Sequence, residues 1–107
     1  MFNRIICGDC REVIKALPDE SVDLILTSPP YWYLRDYGEA AVQVWDGSPG
    51  CTHKFGEDNF CSCGAWRGQL GLEPDWRLYV EHLAGIFTEC KRVLKKHGNL
   101  VLNLGDT

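Results

Sequence analysis

Four consecutive residues, Ser28-Pro29-Pro30-Tyr31, place a hydroxyl, a backbone carbonyl and an aromatic ring one residue after the apolar run 22–26. Proline has no backbone N–H and restricts the residue before it, so this pair must end the strand that the apolar run predicts. A carbonyl at such a bend lacks its ordinary sheet partner. The three groups could therefore form a stiff cradle for a flat ring that carries an amino group. The alternative is a turn that merely ends a strand and packs Tyr31 into a core.

The segment before this motif predicts a strand followed by a helix. Residues 5–7 form a short apolar run, which predicts a strand that ends at Gly8-Asp9. Residues 11–17 have apolar side chains at helical spacing, and Asp9 with Glu12 is a helix-start box. Asp9 is accordingly a candidate helix N-cap.

The clearest predicted helix follows the motif at a distance, because apolar residues recur there at steps of three and four. Asp75 is the expected N-cap, the basic cluster 95–97 suits the last turn, and Gly98 is a natural stop. Residues 99–104 then read as a second buried strand before Gly105-Asp106. The apolar stripe comprises Trp76, Tyr79, Val80, Leu83, Ile86, Phe87, Cys90, Val93 and Leu94, and the expected solvent face comprises Arg77, Glu81, His82, Lys91, Arg92, Lys95 and Lys96.

Strands that alternate with helices predict an α/β fold with a parallel sheet and right-handed crossovers. Ligands of such sheets bind beyond the carboxyl ends of the strands. Asp9, the motif 28–31 and Asp106 all follow predicted strands. The sequence therefore predicts that they share one edge of the sheet, although for Asp106 alone the residues favour an ordinary strand-ending turn.

The motif, preceded by Thr27 and followed by Trp32, resembles the signature of the DNA amino-methyltransferases, which is Asp, Asn or Ser before Pro-Pro-Tyr or Pro-Pro-Phe. This resemblance implies methyl transfer from S-adenosylmethionine to an exocyclic amino group of a base in DNA. It also implies a partial Rossmann-like fold of the S-adenosylmethionine-dependent methyltransferases. The serine form looks most like members that act on cytosine N4. Adenine N6, RNA and protein remain alternative targets.

The resemblance assigns a role to each motif residue. The Ser28 side chain and the Pro29 carbonyl would accept hydrogen bonds from the amine. The amine is a poor nucleophile unless it is held in line with the methyl group and its hydrogens are bonded to acceptors. Tyr31 would stack on a base rotated out of the duplex, and Pro30 would keep the turn rigid.

The resemblance also suggests where the cofactor binds. Asp9, after Gly8, matches the aspartate that faces the adenine amino group of S-adenosylmethionine, and Asp106 is a further candidate. The family's glycine-rich cofactor loop has no match here. The chain thus looks like the N-terminal portion of a permuted enzyme, and DNA would be bound through other regions. In the family's sheet, two of the missing strands lie between the strand that ends at Cys7 and the one that ends at Thr27. These two strands would pair directly, leave an open edge or borrow strands from another chain, and each of these favours self-association.

Residues 35–74 predict no helix or strand, and 36–74 is interpreted as a long irregular insertion rich in Gly and Cys. Cys51, His53, Cys61 and Cys63 lie in it as two ligand pairs that could form a tetrahedral structural zinc site. The single-residue gap in each pair is shorter than the usual two to four. Free thiols in a reducing cytosol, or a redox-labile loop, are the alternatives.

Composition limits these interpretations. The 107 residues carry a net charge of -4 and no basic stripe, so the chain alone is expected to bind DNA poorly. No apolar run is long enough for a membrane span, and six cysteines without a signal sequence favour the cytoplasm. Cys7, Cys10 and Cys90 are expected to pack in the core. The alternative to an enzyme is a non-catalytic zinc-binding remnant, in which the Cys/His loop would be the functional part.

Overall fold

A computed structural model describes residues 3–105 of the chain. Contacts divide these residues into two compact units, which we call unit 1 (residues 3–28 and 83–103) and unit 2 (residues 29–82 and 104–105). In chain order, the elements are α1 (Cys10–Val13), a 3-10 turn (Ile14–Ala16), β1 (Val22–Thr27), a second 3-10 turn (Glu39–Ala41), β2 (Gln43–Trp45), β3 (Trp66–Gly68), α2 (Trp76–Val93) and β4 (Leu94–Leu102).

Unit 1 contains the parallel strand pair that the sequence predicts. β1 pairs with β4, and the register runs from Leu24 opposite Asn99 to Thr27 opposite Leu102. This arrangement, with helices along the same chain, is compatible with an α/β methyltransferase fragment. The expectation that residues 99–104 form a buried strand is wrong about burial, because Leu100, Val101 and Leu104 are exposed, as are Leu24 and Leu26 of β1.

The junction between α2 and β4 differs from the prediction. The helix ends at Val93, and the basic residues 95–97 belong to β4 rather than to a last helical turn. The register shifts between Val22 and Leu24, so the extra residues of β4 bulge opposite Asp23. A Cβ on Gly98 would lie 2.9 Å from Leu94 Cδ2 and 3.0 and 3.1 Å from the backbone oxygens of Lys95 and Asp23, so this bend has little space for a side chain.

The first segment of unit 1 corrects two predictions. Residues 4–7 form no strand, because a strand needs a hydrogen-bonded partner and no described residue pairs with them. Cys7 and Cys10 are exposed rather than packed in a core. The short helix is present, and the Arg92 guanidinium closes its end by donating to the backbone oxygens of Ile14 and Leu17, both at 2.9 Å.

Unit 2 has more regular structure than the sequence predicts. Its β2 and β3 form an antiparallel pair inside the region expected to be irregular, with Trp45 opposite Trp66. Both indoles are buried, at 6% and 4% exposure, so these rings build a small core there. The contacts group residues 29–82 together, and the boundaries 36–74 of an insertion stay a prediction.

The α2 stripe is confirmed in part, because Trp76 and Val80 are exposed at 52% and 50% and Leu94 belongs to β4. Tyr79, Leu83, Cys90 and Val93 are buried, and the Asp75 carboxylate accepts the backbone N–H of Arg77 at 2.9 Å as an N-cap. His82, expected on the solvent face, is instead buried at 5% exposure. No described helix has the length and hydrophobicity required to cross a membrane.

Candidate functional site

The turn that begins unit 2 is held by a tyrosine of α2. Tyr79 donates its hydroxyl to the Pro30 carbonyl oxygen at 2.6 Å. Burial, together with the nearby carboxylate of Glu73, raises the pKa of Tyr79, so the hydroxyl remains a donor at neutral pH. No donor among residues 3–105 bonds to the Pro29 carbonyl oxygen. Of the two proline carbonyls, only that of Pro30 is thus engaged by the described protein.

A second support for the turn comes from Gly71. Its backbone has φ of +101°, and a Cβ there would lie 3.0 Å from the Tyr31 carbonyl oxygen and 3.2 Å from Pro30 Cβ. Glycine is therefore favoured by both backbone conformation and space. The Gly71 carbonyl accepts the backbone N–H of Tyr33 at 2.7 Å, which ties the residues after the motif to the same segment.

Glu73 is the buried centre of this support, with 0% exposure. One carboxylate oxygen accepts the Gly71 backbone N–H at 2.7 Å, and the other lies 2.7 Å from His82 Nδ1. The Glu73 carbonyl accepts the indole N–H of Trp32 at 3.0 Å. Every polar group of this residue that faces the turn is thus satisfied, as a buried charge requires.

His82 connects Glu73 to the small core of unit 2. Its Nε2 lies 2.8 Å from an Asp46 carboxylate oxygen, and its ring stacks on Trp45 with centroids 4.4 Å apart. Carboxylates only accept, so both ring nitrogens bond fully when the imidazole is doubly protonated. Burial by itself would lower the pKa of His82, but the hydrogen bonds to Glu73 and Asp46 outweigh it, and the pKa of His82 is raised above its usual value.

The motif side chains are accessible. Ser28, the last residue of its segment in unit 1, is exposed, and Pro29, Pro30 and Tyr31 are half-buried. The Tyr31 ring contacts Gly105 in unit 2, where an added Cβ would lie 2.4 Å from ring carbon Cε2. Tyr31 is therefore not sealed inside a core. Asp106, the next candidate residue, lies outside the described residues.

Asp9 acts as the N-cap of α1 in unit 1. Its carboxylate accepts the Arg11 backbone N–H at 2.9 Å and forms a salt bridge with the Arg11 guanidinium at 2.7 Å. The hydrogen bond to the Arg11 side chain is the main reason that the pKa of Asp9 is lowered. At Gly8, an added Cβ would lie 2.7 Å from Val13 Cγ2, so a larger residue would require the Val13 side chain to move. A cofactor role for Asp9 would require the carboxylate to accept further hydrogen bonds alongside Arg11.

The four predicted metal ligands of unit 2 converge. One donor atom from each of Cys51, His53, Cys61 and Cys63 lies within 4.8 Å of every other. Backbone N–H groups of Cys63 and Lys54 donate to the Cys61 sulfur and lower the pKa of that thiol to about 5. Hydrogen bonds to Cys61 and then Cys63 raise the pKa of Cys51 to about 11.

An open groove of about 630 Å³ also lies in unit 2. Both charged and apolar residues line it, and the charged ones are Asp36, Glu39, Asp58 and Arg67. None of the motif residues 28–31 lines this groove, so it is not assigned to the site described above.

Glu73, Tyr79 and His82 were not identified as site residues from the sequence. A signal for His82 was present, because it lies three positions after Tyr79 and one before Leu83, on the buried stripe of α2. Glu73 had no such signal, since it lies in a segment without periodicity. Its burial becomes apparent only from contacts with residues far away in the sequence.

Comparison with known proteins identifies a family. Residues 22–107 match the sequence profile of the N6/N4 DNA methylase family. The chain is 35% identical over 104 residues to the Type II methyltransferase M.SmaI of Serratia marcescens, covering 97% of this chain and 26% of that protein. It is 36% identical over 100 residues to the Type II methyltransferase M.SfiI of Streptomyces fimbriatus, covering 94% of this chain and 17% of that protein.

The name of a further relative states the base that it methylates. The DNA adenine methyltransferase YhdJ of Escherichia coli K12 is 29% identical over 98 residues, covering 92% of this chain and 23% of that protein. The chain thus spans about a quarter or less of the length of each of these three relatives. No solved structure matches the chain significantly.

Proposed function

Because the chain belongs to the N6/N4 DNA methylase family, we propose that its segment Ser28-Pro29-Pro30-Tyr31 carries methyl transfer to an exocyclic amino group of a base in DNA. The observation that supports this role most is the arrangement of the turn. The Tyr79 hydroxyl donates to the Pro30 carbonyl, whereas the Pro29 carbonyl accepts no hydrogen bond from the described residues. Ser28 is exposed. The turn is thus held by Tyr79 through Pro30, and not through the Pro29 oxygen that is proposed to act on the amine.

The chemistry needs acceptors of this kind. The lone pair of an exocyclic amine is delocalised into its ring, so the nitrogen attacks only when it is aligned and its hydrogens are bonded to acceptors. S-adenosylmethionine supplies an electrophilic methyl group on a sulfonium. The nitrogen lone pair would form the new bond to the methyl carbon as the carbon–sulfur bond breaks, its electron pair would stay on the sulfur as a neutral thioether, and the proton lost by the amine would pass to solvent water. The Ser28 hydroxyl and Pro29 carbonyl would orient the amine by accepting its hydrogens.

Tyr31 would receive the base. A base inside a duplex is out of reach, so enzymes that modify it rotate it out of the stack and replace the lost contacts with aromatic rings. The half-buried Tyr31 ring is supported by the Gly105 backbone and remains accessible. For the cofactor, we propose Gly8, Asp9 and Asp106, in a Rossmann-like methyltransferase fold of which the parallel pair β1–β4 would be one part.

Cytosine N4 is the target that we propose first, because the motif begins with serine between Thr27 and Pro29. Adenine N6 is the second candidate, and the match to a DNA adenine methyltransferase favours it. Both amines lie in the plane of an aromatic ring next to a ring nitrogen, so the same acceptors could orient either one. The choice depends on how the rest of the pocket fits a pyrimidine or a purine.

The test is methyl transfer by the encoded protein. The protein would be incubated with S-adenosylmethionine carrying a labelled methyl group and with duplex DNA, and the digested nucleosides would be separated by mass spectrometry. We expect label in N4-methylcytosine, and label in N6-methyladenine would select the second candidate. Absence of label in any nucleoside, from protein that binds S-adenosylmethionine in calorimetry, would contradict the proposal.

Ser28→Ala tests the role of the motif. Loss of one acceptor that acts in the transition state should lower turnover by about tenfold or more, with cofactor affinity changed far less. Thr88→Ala is the matched control, because it removes an exposed hydroxyl from α2 that bonds only within its own helix. Equal turnover of Ser28→Ala and the control would remove the proposed role of this hydroxyl.

A further inference from the structure

We propose that Cys51, His53, Cys61 and Cys63 bind one zinc ion that stabilises unit 2. The Cys51 and Cys61 sulfurs are 3.8 Å apart, and the Cys63 sulfur is 3.3 Å from His53 Nδ1. Tetrahedral zinc, with bonds of roughly 2.3 Å to sulfur and 2.0–2.1 Å to nitrogen, places its ligand atoms about 3.4–3.8 Å from one another. These two distances are therefore already close to the edges of such a tetrahedron.

The local backbone explains how two short ligand pairs reach one point. Cys61 and Cys63 lie on a tight turn, in which Cys61 donates its N–H to the Ala65 oxygen at 2.8 Å and accepts the Gly64 N–H at 2.9 Å. Gly64 has φ of +97°, a conformation that glycine adopts without strain. The single-residue gap in each pair is workable because the pairs come from separate segments, and each contributes two corners of the tetrahedron.

The set of donors selects the metal. Three thiolates and one imidazole form a closed four-ligand site of the kind that structural zinc occupies, without the open position of a catalytic site. A disulfide is the main competing use of the same cysteines. All six cysteines are free, and the separation of 3.8 Å between Cys51 and Cys61 sulfurs is far longer than a bond of about 2.05 Å.

The zinc site lies in a segment that an ion could stabilise. Residues 46–64 contain one buried residue, Cys61, so this part of unit 2 has little apolar core of its own. A metal can supply that missing stability, because its binding energy becomes folding energy. The turn also leads directly into Ala65 and Trp66, which are buried at 0% and 4% exposure. Zinc would thereby hold the start of β3 against the rest of unit 2.

The first measurement needs no variant. Protein purified without a metal-affinity step would be analysed by plasma mass spectrometry, and we expect one zinc per chain. Cobalt(II) added to zinc-free protein should give the visible absorption of a tetrahedral thiolate site, and zinc should displace it. Protein that contains no zinc and gives no such cobalt spectrum would overturn the proposal, as would a disulfide between any two of these cysteines.

A matched pair of variants tests the ligands. Cys61→Ser should lower the zinc content at least tenfold at limiting metal, whereas Cys7→Ser, at an exposed cysteine outside the cluster, should keep one zinc per chain. Should Cys61→Ser fail to fold, the cobalt titration of the unmodified chain decides alone. Zinc that persists in Cys61→Ser would show an adventitious surface ion and would overturn the site. This test is independent of methyl transfer, because it measures only metal.

Discussion

Replacing Glu73 by glutamine tests whether the buried carboxylate holds the turn. The side chain is completely buried, and its two oxygens face the Gly71 N–H and His82 Nδ1, both at 2.7 Å. Glutamine has nearly the same size and can still accept from Gly71. It cannot pair with a protonated imidazole, because its second group is an N–H donor. The change thus removes one charge and leaves the packing almost intact.

The expected loss follows from that single interaction. A hydrogen bond between charged groups contributes about 1.5–3 kcal/mol, and a neutral bond from the amide to His82 would restore about 1 kcal/mol. We expect a net loss of about 1–2 kcal/mol in the free energy of unfolding. For a chain of this size, that corresponds to a decrease in Tm of roughly 5–15 °C. Glu73→Ala should cost about 3–5 kcal/mol, because it leaves buried partners unpaired.

The pH dependence provides a second readout with a fixed sign. The pKa of His82 is raised in the folded chain, so its contribution is fully present below the unfolded value of about 6.5. That contribution is lost as the pH rises through the higher folded value. Between pH 6 and 8, the unmodified chain should therefore lose more stability than Glu73→Gln, in which the imidazole keeps only Asp46 as a charged partner.

Urea and thermal unfolding followed by tryptophan fluorescence would measure both effects, because Trp45 stacks on the His82 ring. Glu81→Gln, at an exposed position of α2 next to His82, is the matched control and should change stability by less than about 0.5 kcal/mol. If Glu73→Gln unfolds like the control and follows the same pH profile as the unmodified chain, the hydrogen-bonded support proposed here is wrong.

Two further predictions concern the turn and the cap. Tyr79→Phe should cost about 1 kcal/mol of stability and lower methyl transfer, because the Pro30 carbonyl loses its donor. Tyr37→Phe, which removes the hydroxyl of an exposed ring, is the control. Equal urea midpoints for Tyr79→Phe and Tyr37→Phe would contradict the predicted loss of stability. Asp9→Ala should cost about 1 kcal/mol, whereas Asp9→Asn should keep most of the cap. Calorimetry with S-adenosylmethionine then isolates the cofactor role, which requires weaker binding in Asp9→Asn at preserved stability.

The features that the sequence predicts correctly are those carried by local patterns. The stripe of α2 identified Tyr79, Leu83, Cys90 and Val93 as buried, and the apolar runs predicted the parallel pair β1 and β4. The predicted strand at residues 5–7 is wrong, because the prediction considered only the local sequence. An apolar run indicates the tendency to form a strand, but hydrogen-bonded pairing needs a neighbour, and none of the described residues supplies one.

Non-local features were not predictable in the same way. β2 and β3 have three residues each, too short for a periodic signal, and they pair Gln43 with Gly68 across a long segment. The convergence of Cys51 and His53 with the two later cysteines also depends on turn geometry that spacing alone does not define. His82 was placed on the solvent face because histidine is a polar residue type, whereas its bonds to two carboxylates, the buried Glu73 and the exposed Asp46, make its burial favourable.

A turn built on two prolines cannot hold itself in place, because these residues supply no N–H groups for local hydrogen bonds. The support must come from elsewhere in the chain. Trp32 reaches a carbonyl 41 positions later, and the Pro30 oxygen is reached from 49 positions later. Closing a segment of this length costs entropy, and each contact within it reduces the remaining cost. The β2–β3 pair and the proposed zinc site shorten the free path between the turn and Glu73. The segment that looked like an irregular insertion is therefore the part of unit 2 that brings Gly71 and Glu73 back to the turn.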